Sequence, residues 1–244
     1  MTEDKLQAVP ESSENTYRIR ATVRALMSPG MWLVVAAQAV TLILFSFAGN
    51  QESVNRVTPI YAVFSFFVFL FVTSGMFRSL AISNSVVSVR EVLANAPLVF
   101  ARFLVLGLKI FFLFMFLFYF VLVFLGGGLE LLKTYPWVWG LALTMVTVVL
   151  VYWLPIVFVT GRFEMIPTLA SALQMQQKRV QQLPFIAVLL LTPNIVGLLL
   201  DLEQGLLVAA TISVVSEILS WIAYTYCIEY VVRHKDQALV EASM

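Results

Sequence analysis

Apolar residues arrive in six extended runs, at residues 31–48, 59–82, 103–125, 137–160, 184–200 and 205–232. A helix that crosses a bilayer needs roughly 20 predominantly apolar residues, within a range of about 17–25. The first and fifth runs sit near the short limit, and the sixth has length to spare for tilting or protruding. Outer-membrane strands would instead be about 9–11 residues long with alternating character. The pattern therefore predicts an all-α polytopic membrane protein with six transmembrane helices.

Shorter amphipathic stretches separate some of these runs. In residues 17–26, Ile19, Val23 and Leu26 fall on one helical face, with Arg18, Arg20 and Arg24 around the rest. Such a helix suits the surface of an anionic leaflet, and Ser28, Pro29 and Gly30 end it. Residues 88–102 open with Ser88 and Glu91 in capping-box spacing. Val89, Val92, Leu93, Ala96 and Val99 or Phe100 then line one face, and Pro97 is placed to bend the helix. The third stretch follows a basic turn at Gly161 and Arg162. Pro167 there suits a first helical position. Ile166, Leu169, Ala170, Leu173 and Val180 form an apolar stripe, while Gln174, Gln177, Lys178, Gln181 and Gln182 face water or headgroups. Pro184 marks the return into the bilayer. The chain is thus expected to carry two or three amphipathic helices on the inner surface. The layout span, surface helix, span occurs twice, with VREVLANA beside MIPTLASA. A parallel repeat and shared membrane constraints both produce that arrangement.

Charge supplies the orientation. Only 12% of residues are charged and 61% are hydrophobic, with a mean hydropathy of +0.93. Soluble domains run at about 25% and about 45–50% respectively. With a cytoplasmic N-terminus, the inner segments hold Lys5, Arg18, Arg20, Arg24, Arg78, Arg90, Arg102, Arg162, Lys178, Arg179, Arg233 and Lys235. The outer loops, about residues 49–58, 126–136 and 201–204, hold only Arg56 and Lys133, and Lys109 lies inside the third span. This bias follows the positive-inside rule at every span. It predicts a flexible cytoplasmic tail at 1–16, a single six-helix membrane domain at 17–232 and a cytoplasmic tail at 233–244. The first thirty residues lack the basic start and immediate apolar core of a cleaved signal peptide.

Residues 155–191 also carry a resemblance. An aliphatic helix end containing Pro155 leads to a short charged turn, an Ala-rich helix with a basic end and a returning helix. This resembles the membrane domain attached to some bacterial glycerophosphodiester phosphodiesterases, and the stand-alone six-helix inner-membrane proteins related to it. The likeness covers spans two to six in layout, and residues 155–191, with residues 79–108 less clearly, in pattern. Its motifs are of low specificity. It implies a bacterial inner-membrane protein, in a group whose stand-alone members mostly have no assigned activity. These 244 residues contain no soluble catalytic barrel, so the phosphodiesterase activity does not carry over.

Sites for chemistry are few. The single histidine, His234, sits in a basic RHK cluster after the last run, and the single cysteine, Cys227, lies inside an apolar one. A His pair, a histidine-rich metal centre and an internal disulfide are therefore excluded. HExxH, GxSxG and Walker A patterns are absent. The residues at 126–128, three glycines, read as a flexible exit from span three. The ionisable residues within spans are the best candidates, because charge in lipid is costly and is usually functional or paired. Glu217 lies midway along the sixth run, with Ser213, Ser216 and Ser220 at neighbouring helical positions. Lys109 and Arg78 are its candidate partners, and Asn194 and Gln38 extend the polar set. Glu229 is expected near the inner interface, in solvent. No cofactor or metal is implied. The aromatic runs read as lipid-facing or interhelical bulk, and no basic surface with base-stacking aromatics suggests nucleic acid. Expected partners are membrane lipids and other membrane proteins. The leading expectation is a non-enzymatic accessory or organising factor of the inner membrane. The alternatives are a small proton-coupled transporter with Glu217 as its acid and, third, a membrane enzyme acting on lipid.

Overall fold

The computed structural model describes residues 11–49, 58–124, 148, 151–178, 183–199 and 206–234, and among them every regular element is a helix. In chain order these are α1 (Glu11–Met27), α2 (Pro29–Gly49), α3 (Thr58–Ile82), α4 (Val89–Phe124), α5 (Trp153–Thr160), α6 (Met165–Lys178), α7 (Leu183–Leu199) and α8 (Leu206–Arg233). Four helices, α2, α3, α4 and α8, contain spans long and apolar enough to cross a membrane, or five if the bent pair α5 and α6 is one span. Lipid offers backbone groups no partner, so an apolar run of this length has one open-chain solution, the helix. The run at 184–200 becomes α7, with 17 residues. Of the run at 137–160, residues 148 and 151–160 are described, and the outer loops lie outside the described residues almost entirely.

The structure revises the boundaries in two places. Residues 11–16, expected in the tail, are the first turns of α1. Glu11 and Glu14 stand at this end of the sequence of α1, and acidic residues favour the positive end of a helix dipole. The amphipathic stretch at 88–102 and the third run form one helix of 36 residues, α4, about 54 Å long at ~1.5 Å per residue. The capping box forms as spaced: the Ser88 N–H donates to Glu91 Oε2 at 2.7 Å, and the Glu91 N–H to Ser88 Oγ at 3.3 Å. Pro97 lies inside α4 without ending it.

Among the described residues, the packed interior lies towards one end of the bundle. α3 packs along both α2 and α4, and α8 packs on α7, α1, α2 and α5. Phe77 of α3 stacks on Phe158 of α5, with ring centroids 5.1 Å apart, and touches Trp221 and Tyr224 of α8 at 4.8 and 5.1 Å. Gly75 lets α4 approach closely: a Cβ there would lie 2.3 Å from the Val92 carbonyl oxygen and 2.9 Å from Ala96 Cβ. Gly161, at φ 71°, adopts the left-handed conformation that glycine tolerates, and ends α5 before the chain turns through 119° into α6.

Helices α1 and α6 pack with small and polar residues. On α6 the buried residues are Thr168, Ser171, Ala172, Met175 and Gln176, while Ile166 is 74% exposed and Leu173 is also exposed. On α1, Ala21, Arg24 and Ala25 are buried and Ile19, Val23, Leu26 and Met27 are exposed. Their apolar stripes are left for a surrounding that tolerates hydrocarbon.

Candidate functional site

Arg24 and Glu229 were expected at the leaflet surface and in solvent respectively. Both are 7% exposed and they pair with each other, Arg24 Nη1 to Glu229 Oε1 at 3.0 Å. The cause of the burial is local. Ala21, Ala25 and Ser28 flank Arg24 on and just after α1 and let that face sit close against α8 and the turn after α3. The guanidinium then closes the C-terminal end of α3. Nε donates to the Ser85 carbonyl at 2.9 Å, and Nη2 donates to the carbonyls of Leu80, at 3.2 Å, and Ser83. Carbonyls at a helix end lack intrahelical donors, and a buried end needs them supplied. Ser28 extends the knot: its Oγ donates to the Arg24 carbonyl at 2.7 Å and accepts the Val87 N–H at 3.0 Å. The contacts bring the ends of α1, α3 and α8 and the start of α4 together at one end of the bundle. At the same end, Arg233 lies over the Tyr17 ring, 4.5 Å from its centroid.

Tyr17 and Glu229 form the less satisfied part of the knot. Among the described residues, Tyr17 Oη, Thr225 Oγ1 and Glu229 Oε2 are buried with no hydrogen-bond partner. Burial, and then the nearby Glu229 carboxylate, push the Tyr17 phenol well above its ordinary range.

Glu217 is part-buried on α8. Trp221 Nε1 donates to its Oε1 at 2.8 Å, and the Gln38 side chain of α2 lies close by. Neither Lys109 nor Arg78 reaches it. Lys109 is exposed on α4 among Val105, Leu108 and Phe112. Arg78 is half-buried near the end of α3, where its Nη1 donates to the Phe158 carbonyl at 3.4 Å. Ser213 is half-buried one turn before Glu217, and Asn194 lies within α7, its side chain outside what is described. The five residues singled out from sequence are thus not one cluster in the described structure. Glu217 bonds to Trp221 within α8, Arg78 joins α3 to α5, and Lys109 stands outward.

Other polar side chains act in the same way. Trp153 Nε1 donates to Thr168 Oγ1 at 2.8 Å and ties α5 to α6, and Asn95 Nδ2 donates to Ser79 Oγ at 2.9 Å and ties α4 to α3. Between α2 and α3 runs an apolar groove of about 480 Å³, bordered by Ala36, Val40, Phe64 and Val68 among others. No group of three or more His, Cys, Asp or Glu side chains placed to hold a metal occurs among the described residues.

These features define a class, an all-helical membrane protein whose polar side chains hold helices to one another. No protein-family model, curated protein or solved structure matches the chain.

Proposed function

We propose that the protein is an accessory or organising factor of a bacterial inner membrane, working through contacts with lipid and with other membrane helices. The observation that carries the reading is the contrast between its two surfaces. Arg24, Arg78, Trp153 and Asn95 join helices, while Phe64, Phe112, Phe116 and Tyr119 stand at least 65% exposed. Aromatic surface of that extent suits lipid tails or the helices of another protein. The reading includes six spans with both termini cytoplasmic. The gathering of Arg24, Arg78 and Arg233 at one end of the bundle supports it, because basic residues collect on the cytoplasmic side.

Two measurements test this. A photo-crosslinking amino acid at Phe112 or Phe116, irradiated in native membranes, is expected to give one discrete protein adduct that the same group at buried Phe77 does not give. Adducts to lipid alone at every outward position would leave no partner and would refute the organising role. Reporter fusions at the C-terminus and after Gly127 are expected to report opposite sides of the membrane. The same side for both would overturn the six-span topology.

A second reading rests on Glu217. It is an acid within a span-length helix, held by the neutral Trp221 indole, with no cation on it among the described residues. That arrangement suits a proton-coupled transporter. Glu217→Gln is then expected to abolish proton-coupled flux in proteoliposomes while the protein still accumulates, and normal flux in the variant would remove the transport reading.

A further inference from the structure

Two arginines stand at the same end of this bundle in opposite states. Arg24 has an acceptor for each guanidinium nitrogen, namely Glu229 and the carbonyls of Leu80, Ser83 and Ser85. Arg78 carries the same five donors. Among the described residues it has one acceptor, the Phe158 carbonyl at 3.4 Å, and its Nε is buried with none. No described carboxylate neutralises it there. Glu229 is committed to Arg24, Glu217 to Trp221 and Glu91 to Ser88, and Glu164 is exposed with no ion pair to Arg78.

The surroundings are aromatic. Arg78 touches the backbone of Phe158, whose ring lies 5.7 Å from that of Phe103 and 5.5 Å from that of Phe163. In the chain Arg102 precedes Phe103, and Phe163 stands between Arg162 and Glu164. A guanidinium always carries its charge. Held half-buried between membrane helices without a counter-ion among the described residues, it is costly, and fork-shaped recognition of a phosphate would satisfy it.

We propose that Arg78, at the seam between the ends of α3 and α5, binds a phosphate group. The group is supplied either by the headgroup of an anionic phospholipid or by free inorganic phosphate. Basic sites between helices on the cytoplasmic side are suited to anionic headgroups. This inference deepens the lipid-contact half of the reading above. Partner crosslinking at Phe112 and lipid retention at Arg78 are separate readouts, so either can fail without the other.

The test uses the full chain in mixed micelles, with phosphatidylglycerol, phosphatidylcholine or inorganic phosphate as probe. Retained lipid is read by native mass spectrometry. Wild type is expected to retain phosphatidylglycerol in preference to phosphatidylcholine. Arg78→Gln, which still has a donor for the Phe158 carbonyl, is expected to weaken that retention by about tenfold or more, the loss of one charge-assisted interaction. Displacement of the lipid by millimolar inorganic phosphate identifies a pocket for free phosphate, and persistence of the lipid identifies the headgroup as the source. Equal retention by wild type and Arg78→Gln, with no effect of phosphate on either, overturns the proposal. Should Arg78→Gln fail to fold, wild type alone decides. A phosphatidylglycerol with a photoreactive headgroup is expected to label the peptides containing Arg78 and Phe158, and labelling confined to other peptides overturns the site.

Discussion

Replacing Arg24 by Met removes the guanidinium and keeps much of the aliphatic length. Four acceptors lose their donor: Glu229 Oε1 and the carbonyls of Leu80, Ser83 and Ser85. Breaking a buried ion pair by deleting one partner costs about 3–5 kcal/mol, because the other charge stays buried and uncompensated. Glu229→Gln is milder, since its Oε1 still accepts from Arg24 and the three carbonyls are untouched. It loses the charge assistance of one hydrogen bond, about 1–2 kcal/mol. The double variant Arg24→Met with Glu229→Leu removes the stranded carboxylate, so it is expected to be more stable than Arg24→Met alone. It should not reach wild type, because the end of α3 still lacks its donor. The assay is denaturation in mixed micelles followed by tryptophan fluorescence, with Arg20→Met, an exposed arginine on the same helix, as control. The control is expected to change stability by no more than about 0.5 kcal/mol. If Arg24→Met is no worse than Arg20→Met, or if the two substitutions at the pair simply add, the knot does not hold these helices together and the reasoning fails.

Substitutions at three further positions separate kinds of constraint. Gly75→Ala sets a Cβ against the backbone of Val92, which cannot turn aside as a side chain would, so α3 and α4 must part; the expected loss is about 1–3 kcal/mol, read in the same denaturation assay. Gly161→Ala meets no atom within 4 Å, so its cost is the left-handed backbone alone, roughly 1–2 kcal/mol, and Gly161→Asn should cost less. Tyr17→Phe deletes a buried hydroxyl that has no hydrogen-bond partner among the described residues, and is expected to be neutral or stabilising by up to about 1 kcal/mol; a loss would reveal a partner for Oη. Because burial raises the Tyr17 phenol pKa, the folded chain keeps a proton that the unfolded chain releases near pH 10. Stability from this group is therefore intact below pH 10 and declines above it, and Tyr17→Phe should reduce that alkaline decline.

The helices were legible because lipid leaves an apolar run few alternatives. The positions at 59–82 and 205–232 correspond to α3 and α8 within one residue at each end. The Ser88–Glu91 cap was equally readable, since both partners sit within one turn. The Arg24–Glu229 pair was not, because its members are 205 residues apart and each looks locally like any other charge near a membrane surface. The one local hint was composition around Arg24: Ala21, Ala25 and Ser28 permit a close approach that Ile19 and Val23 would obstruct. Arg78 was noticed for its place near a span end, but its partner could not be inferred, because Phe158 accepts through its backbone.

A deeper reason limits how far apolarity alone can locate a site in this chain. In water, an apolar stripe marks the face that packs inward. Here hydrocarbon is the expected surrounding, and the faces that pack include Thr73, Ser74, Gly75 and Ser79 on α3, Thr168, Ser171 and Ala172 on α6, and Ala21 and Ala25 on α1 with Ser28 just beyond it. Small residues allow close helix contact, and polar ones find partners only inside. Amphipathic period therefore identifies α1 and α6 as helices while leaving open which face meets the protein. The same logic bears on function. A polar side chain inside such a bundle first has to satisfy the fold, as Arg24, Trp153 and Asn95 do. The polar groups that merit a functional test are those the fold leaves incompletely satisfied, and by that criterion Arg78 stands ahead of Glu217.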